Sequence, residues 1–248
     1  ALGGVALRTE ATGYGTVAVA RLMLEHRGES LEGKRVAISG SGNVALYAAE
    51  RCKQFGAKVV SLSDSGGTIE CDGGLTMDQI EELKHYKEVE RGRLKNYSAA
   101  GVRFHEKTDP WGIPCEVALP CVTQNELNEA EADSLVSNGV LAVAEGANMP
   151  CTPEAVEKLQ GAGVSFGPGK AANAGGVGTS GFEMSQNSMR IPWKREDTER
   201  RLEDMMASIH EACVEHGSGS DKTVDYVRGA NIAGFAKLAE AMMTLGVG

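Results

Sequence analysis

Six consecutive residues, Gly40-Ser41-Gly42-Asn43-Val44-Ala45, carry the densest chemical information in the chain. They follow a short apolar run, Arg35 to Ser39, and open an amphipathic stretch that reaches Phe55. A second apolar run, Lys58 to Ser63, ends at Asp64. In such a strand–turn–helix–strand frame, Gly40 permits a tight turn and Gly42 lets backbone approach an anionic group. Ala45, in place of a third glycine, is small enough for helix and strand to pack closely. The helix N-terminus adds unpaired N–H groups and the positive end of its dipole. A pyrophosphate suits this arrangement, so Gly40, Ser41, Gly42, Asn43 and Val44 are the first candidate residues for binding a dinucleotide. An ordinary turn would explain a lone Gly-x-Gly, but not the whole frame.

The tip of the second strand bears on which dinucleotide. An acidic residue there binds ribose hydroxyls and repels a 2′-phosphate. Asp64 lies 24 residues beyond Gly40, between Ser63 and Ser65, whose hydroxyls suit a phosphate. Lys84, Lys87 and Arg91 follow on a helical stretch, interspersed with Glu88 and Glu90. Residue chemistry leaves NADP and NAD open, and Asp64 could equally open the Gly66-Gly67 turn. Later strand tips gather small and amide-bearing residues: Cys121-Val122-Thr123-Gln124-Asn125, Gly146-Ala147-Asn148 and Gly167-Pro168-Gly169-Lys170. Singly, each asparagine is an ordinary turn former. Together, on the face chosen by the glycine turn, they suit a nicotinamide ribose and its carboxamide.

Those tips need a sheet to hold them. Periodicity predicts helices over 10–27 and 43–55, the second stopped at Gly56. A short strand is expected at Thr68 to Cys71, then two charged helices over 76–100 broken near Gly92. Further strands are expected at 102–104, 115–120, 141–145 and 164–166, with helices at 126–137 and 153–161 between them. From Gly175 the pattern turns helical, over 175–188, 195–216 and 230–244. This alternation predicts an α/β fold: a doubly wound, mostly parallel Rossmann-like sheet with helices on both faces and a helical C-terminal tail. Residues 1–229 read as the dinucleotide-binding unit with its flanking helices, and 230–248 as a separate C-terminal helix.

A formal net charge of −9 argues against nucleic acid or an anionic membrane as the main partner. No apolar run approaches the ~18 residues of a membrane span. The six cysteines include no Cys-x-x-Cys pair. Free thiols in a reducing compartment such as the cytoplasm are expected, with no metal site. The start at Ala1 does not resemble a secretory leader and suggests a fragment.

In order along the chain, several segments resemble the nucleotide-binding half of a glutamate dehydrogenase, of the hexameric NADP-linked type found in bacteria and fungi. They are Glu10-Ala11-Thr12-Gly13-Tyr14-Gly15, Ser39 to Val44, Ser63-Asp64-Ser65 and Ala118 to Leu127. Val143 to Pro150, Lys170 to Val177, Ser180 to Asn187 and Gly229 to Phe235 continue the series. The resemblance implies that Thr12 and Asn43 contact coenzyme phosphates and that Thr123, Asn125, Asn148 and Asn173 surround the nicotinamide end. It sets Val177 against the glutamate side chain and Ser180 against its γ-carboxylate; without it, Ser180 would read as a helix residue bonding back to its own turn. It favours NADP over NAD.

It also implies what this chain lacks: an N-terminal substrate domain bearing the catalytic lysines and an aspartate, on which the 230–248 helix would pack. No catalytic residue is expected here. The chain would then supply the coenzyme seat and part of the substrate wall for deamination of L-glutamate to 2-oxoglutarate and ammonium, in a homo-hexamer when complete, and would be inactive alone. Two other readings compete: a dehydrogenase of another amino acid, which the Ser180 hydroxyl disfavours, and a non-catalytic NAD(P)-binding module.

Overall fold

The computed structural model describes residues 4–219 and 224–246. After helix α1 (Ala11–His26) come strand β1 (Arg35–Ile38), helix α2 (Asn43–Gln54), strands β2 (Lys58–Asp64) and β3 (Gly67–Glu70), and helix α3 (Met77–Glu88). Strands β4 (Arg103–Glu106) and β5 (Val117–Leu119), helix α4 (Glu129–Ser137), strand β6 (Ala142–Ala144), helix α5 (Pro153–Gly161) and strand β7 (Ser165–Gly167) follow. Four helices close the chain: α6 (Gly169–Ala172), α7 (Ala174–Met189), α8 (Arg195–Gly217) and α9 (Tyr226–Leu245).

The strands form one sheet in the order β4-β3-β2-β1-β5-β6-β7, parallel from β2 to β7. Both faces are covered, so strand residues alternate between two cores. Val36, Ile38, Val59, Leu62, Val117 and Leu119 pack on the side of α1, α2 and α8. Ala37, Val60, Ala118, Val143 and Phe166 pack against α4, α5 and Trp111. The β1–β2 ladder shifts register between Val36 and Ala37. Hydroxyls of β2 take up the displaced donors: Ile38 N–H donates to Ser61 Oγ at 3.1 Å and Gly40 N–H to Ser63 Oγ at 2.8 Å.

The sheet is mostly parallel, as expected; its far edge, the charged segment after α3 and the start of α9 add detail that periodicity did not carry. The sheet's far edge is antiparallel, because the turn at Ser65 and Gly66 folds β3 straight back on β2 and β4 continues the meander. The second charged helix is reduced to a single 3-10 turn, Leu94–Asn96. There the Leu94 N–H is taken by the Asp64 carboxylate at 2.9 Å instead of joining a helical ladder. The expected division at 229/230 falls inside α9, whose Tyr226 and Gly229 are buried against the body. Beyond it, Phe235 and Leu238 are 67% and 58% exposed, so the helix leaves the core there.

Helix α1 precedes the first strand yet lies between α2 and α7. A Cβ added at Gly13 would sit 2.6 Å from both Ala48 N and Val44 O of α2. One added at Gly15 would lie 3.0 Å from Gly175 Cα, and one at Gly175 would collide with the Ala11 carbonyl oxygen. Backbones therefore touch on both sides of α1. Gly13→Ala would gain roughly 1 kcal/mol of helix propensity, but overpacking costs about 1–3 kcal/mol. We expect a lower urea midpoint at unchanged slope; a midpoint equal to wild type would show that the contact yields.

Candidate functional site

The chain leaves β1 for β2 on one side and returns to β5 on the other, so a crevice opens beyond the strand ends between β1 and β5. Gly40 turns into it with φ +91°, and a Cβ there would lie 3.2 Å from Cys121 O and 3.3 Å from Ala45 Cβ. Gly42 is the N-cap of α2, and a Cβ there meets nothing within 4 Å. Backbone at Gly42 thus faces open space, as close approach by a phosphate requires. The helix offers no side-chain cap and no acid in its first turn, and the same holds for α1 and α7. Helices α3, α4, α5 and α9, by contrast, are capped by Thr76, Asn128, Thr152 and Asp225. The first turns of α1, α2 and α7, none with a side-chain cap, line one cavity, a setting that favours an anion, although Leu7 O already accepts the Ala11 N–H and Asn173 O the Gly176 N–H.

That cavity, of about 590 Å³, brings together Thr12, Val44, Thr123, Gln124, Asn148, Asn173, Val177 and Ser180. Asn173 Nδ2 donates to Ala147 O at 3.0 Å and to Asn148 Oδ1 at 2.9 Å, which pairs the two amides. Ser180 Oγ donates to Gly176 O at 3.2 Å, the back-bond of a helical serine, while the side chain still borders the cavity. Ser41 is buried beneath the turn and Asn43 is exposed at its rim. Asn125 is not in the cavity wall: it occupies a left-handed turn at φ +56°, its N–H bonded to Met149 O. Arg8, two residues before the Glu10-Ala11-Thr12 segment, also lines the cavity. Nothing in its spacing pointed to it, because it sits in an irregular turn ahead of α1.

Across the β5 loop a second cavity, of about 480 Å³, is lined by Ser63, Asp64, Ser65, Trp111 and Glu126; Val122 borders both. Asp64 and Lys87 meet each other beside this cavity. Asp64 accepts from Gly66 N at 2.9 Å, Leu94 N at 2.9 Å and Lys87 Nζ at 3.3 Å. Lys87 also donates to Gly92 O at 2.8 Å. The carboxylate and ammonium expected to meet a ribose or its phosphate also hold each other and the turns beside them, with Asp64 bordering the cavity. Arg93 is the cation that reaches Ser65, its guanidinium 2.9 Å from Oγ. It falls in the stretch expected to be helical, where α-helical periodicity would have sent it elsewhere. Burial alone would raise the Asp64 carboxyl, but the Leu94 and Gly66 N–H groups and Lys87 hold it below the ordinary aspartate value.

Two carboxylates, the half-buried Glu126 and the buried Glu145, brace the loops. Glu126 Oε1 accepts the Val122 N–H at 2.8 Å, and Glu145 accepts from Cys151 N at 3.2 Å and Gly169 N at 2.6 Å. Burial raises both carboxyls despite those donors. Cys121, in the first cavity's wall, has its thiol pushed well up by burial.

A doubly wound sheet with an uncapped glycine turn at its switch point defines a Rossmann-like domain of the dehydrogenase kind. The sequence model of the Glutamate/Leucine/Phenylalanine/Valine dehydrogenase family matches residues 3–246, and the chain belongs to that family. It is 52% identical over 246 residues to the NADP-specific glutamate dehydrogenase of Escherichia coli, covering 99% of this chain and 55% of that protein. Identity to the NAD(P)-specific glutamate dehydrogenase of Xylanibacter ruminicola is 51% over 246 residues, with the same coverage. The crystal structure of Plasmodium falciparum glutamate dehydrogenase superposes with a TM-score of 0.96 at 40% identity, covering 99% of this chain and 53% of that one. The chain thus spans about half the length of the curated relatives it matches.

The Asp64 cluster has a pH consequence. Its folded pKa lies below the ordinary 3.8, so its stabilisation is complete above about pH 4 and is lost as pH falls through the folded value. We expect Asp64→Asn to lower the thermal midpoint near neutrality and to flatten its decline in acid. Parallel acid declines for variant and wild type would contradict the assignment.

Proposed function

We propose that this chain is the coenzyme-binding half of an NADP-linked glutamate dehydrogenase, which interconverts L-glutamate with 2-oxoglutarate and ammonium. The observation that carries the reading is the first cavity: three uncapped helix N-termini, paired amides, and the Arg8, Val177 and Ser180 side chains share one wall. The names of the E. coli and X. ruminicola relatives support the substrate, and both include NADP. In this reading the backbone of Gly42, Asn43 and Val44, with Thr12, holds the pyrophosphate. Thr123, Gln124, Asn148 and Asn173 hold the nicotinamide end. Ser65 and Arg93 receive the 2′-phosphate, with Asp64 and Lys87 buttressing the turn that presents them. Val177 packs against the substrate's methylenes while Ser180 and Arg8 meet its side-chain carboxylate, so a substrate without one would leave polar groups unpaired. The chemistry the bound coenzyme supplies is hydride exchange at the substrate's α-carbon.

Proton transfer needs a group poised near neutral pH. In the first cavity's wall the Cys121 thiol is pushed well above its ordinary value by burial, away from that range. We therefore assign the acid and base to the portion of the enzyme outside this chain, and the exposed face of α9 carrying Phe235, Leu238, Met242 and Leu245 to contact with that portion. Residues 226–229 then serve as the boundary between body and tail. The hexamer belongs to the complete enzyme; a Thermus thermophilus relative, 26% identical with a TM-score of 0.82 over 97% of this chain and 54% of that one, is described as hetero-hexameric. Six unpaired cysteines accord with a reducing compartment such as the cytoplasm. Among the described residues no helix is long and apolar enough to cross a membrane.

The purified chain should bind NADPH in a fluorescence titration yet turn over glutamate no faster than background; clear turnover would mean that the catalytic groups lie within it. Gly42→Val, which has room in the folded chain, should keep its circular dichroism and lose NADPH affinity by about tenfold or more. Arg93→Ala should weaken NADPH about tenfold and leave NADH nearly unchanged. Equal effects on the two coenzymes would remove Arg93 from the phosphate site.

A further inference from the structure

Glu145 stands at the tip of β6 and is 5% exposed, yet borders neither cavity. Among the described residues no lysine, arginine or histidine forms an ion pair with it; the neighbouring Lys170 donates instead to Asn231 Oδ1 of α9 at 2.5 Å. An unpaired buried carboxylate is costly, and an apolar side chain would fill the space more cheaply. What the carboxylate offers is two acceptor atoms. Oε1 takes the N–H of Cys151, at the far end of the loop that carries Asn148; Oε2 takes the N–H of Gly169, at the start of α6. Helix α6 ends at Asn173, whose amide returns to Ala147 O and Asn148 Oδ1. The β6 loop and α6 thus form a closed ring, and one side chain joins its two halves from behind.

We propose that Glu145 is a positioning residue for the nicotinamide end of the coenzyme: by fastening the Asn148 loop to the start of α6, it sets the two amides at the spacing the ring requires. This assignment rests on the coenzyme reading above. Gly169 completes the junction, since a Cβ there would lie 2.9 Å from Ala147 O, 3.3 Å from Glu145 Oε2 and 3.4 Å from Asn173 Nδ2. Glu145→Gln points an amide N–H group at one of two backbone donors and opens the junction. Gly169→Ala forces it apart from the other side without altering charge.

The test is calorimetry on the full chain with two ligands, NADPH and 2′-phospho-ADP-ribose, which is the same molecule without its nicotinamide ring. Each variant should lose about tenfold in NADPH affinity, while 2′-phospho-ADP-ribose changes by less than about twofold. A general loosening of the domain would weaken both ligands alike, and that result would overturn the assignment. So would wild-type NADPH affinity in either folded variant. If Glu145→Gln does not fold, Gly169→Ala alone decides by the same criteria. A wild-type chain that binds neither ligand would overturn the coenzyme reading and this assignment with it.

Discussion

The contact on which the rest of the structure depends is the side-less approach of α1 to α2 and α7. At Gly13 and Gly175 backbone meets backbone, and a single methyl group on either would have to displace a peptide. That closeness draws three helix N-termini into one cavity wall. Each brings N–H groups that its own helix cannot use. Dispersed, they would be ordinary frayed ends; gathered, they make a strip of positive potential in a chain of net charge −9.

The distribution of caps follows the same logic. Helices α3, α4, α5 and α9 have their ends satisfied by threonine, asparagine or aspartate, and α8 carries Glu196 and Asp197 in its first turn. A capping side chain typically contributes about 1 kcal/mol, so its absence from α1, α2 and α7 forgoes stability at the positions where a ligand could supply it. The buried serines of β2 act in the opposite sense. They accept the Ile38 and Gly40 N–H groups beside the register shift, so the floor of the site is tied down while its rim stays open.

The glycine turn and the parallel strands were legible because their periods are local: alternation in strands, helical spacing after Gly42, and small residues at fixed offsets. The tips bearing Thr123 and Asn148 followed from where such strands must end, whereas Asn173, between α6 and α7, came from the resemblance alone. What escaped was set by tertiary partners. Asp64 has the residue type and nearly the spacing of a ribose ligand, but three donors from residues 66–94 claim it. Arg93 reaches Ser65 only because Leu94 is captured and the helix fails there. Asn125 carries the right amide but sits in a left-handed turn outside the cavity wall. Glu145 sits in an apolar strand-like run as a polar exception, with no local pattern to say what it holds.

The position of α1 has a consequence for biosynthesis. Its apolar residues, among them Val17, Val19 and Met23, emerge before any strand of this sheet exists to receive them. Met23 packs beside Gly167 of β7, Gly15 against Gly175, and the Val5 N–H reaches Glu183. Every one of those partners is made more than a hundred residues later. Within this chain α2 is the first helix it can lean on, and closing so long a loop spends entropy before contacts return it. During synthesis it presents an unburied greasy face, the kind of surface that chaperones hold and aggregates exploit. A helix made ahead of the whole sheet is thus enclosed only when its last strand and the helices after it arrive.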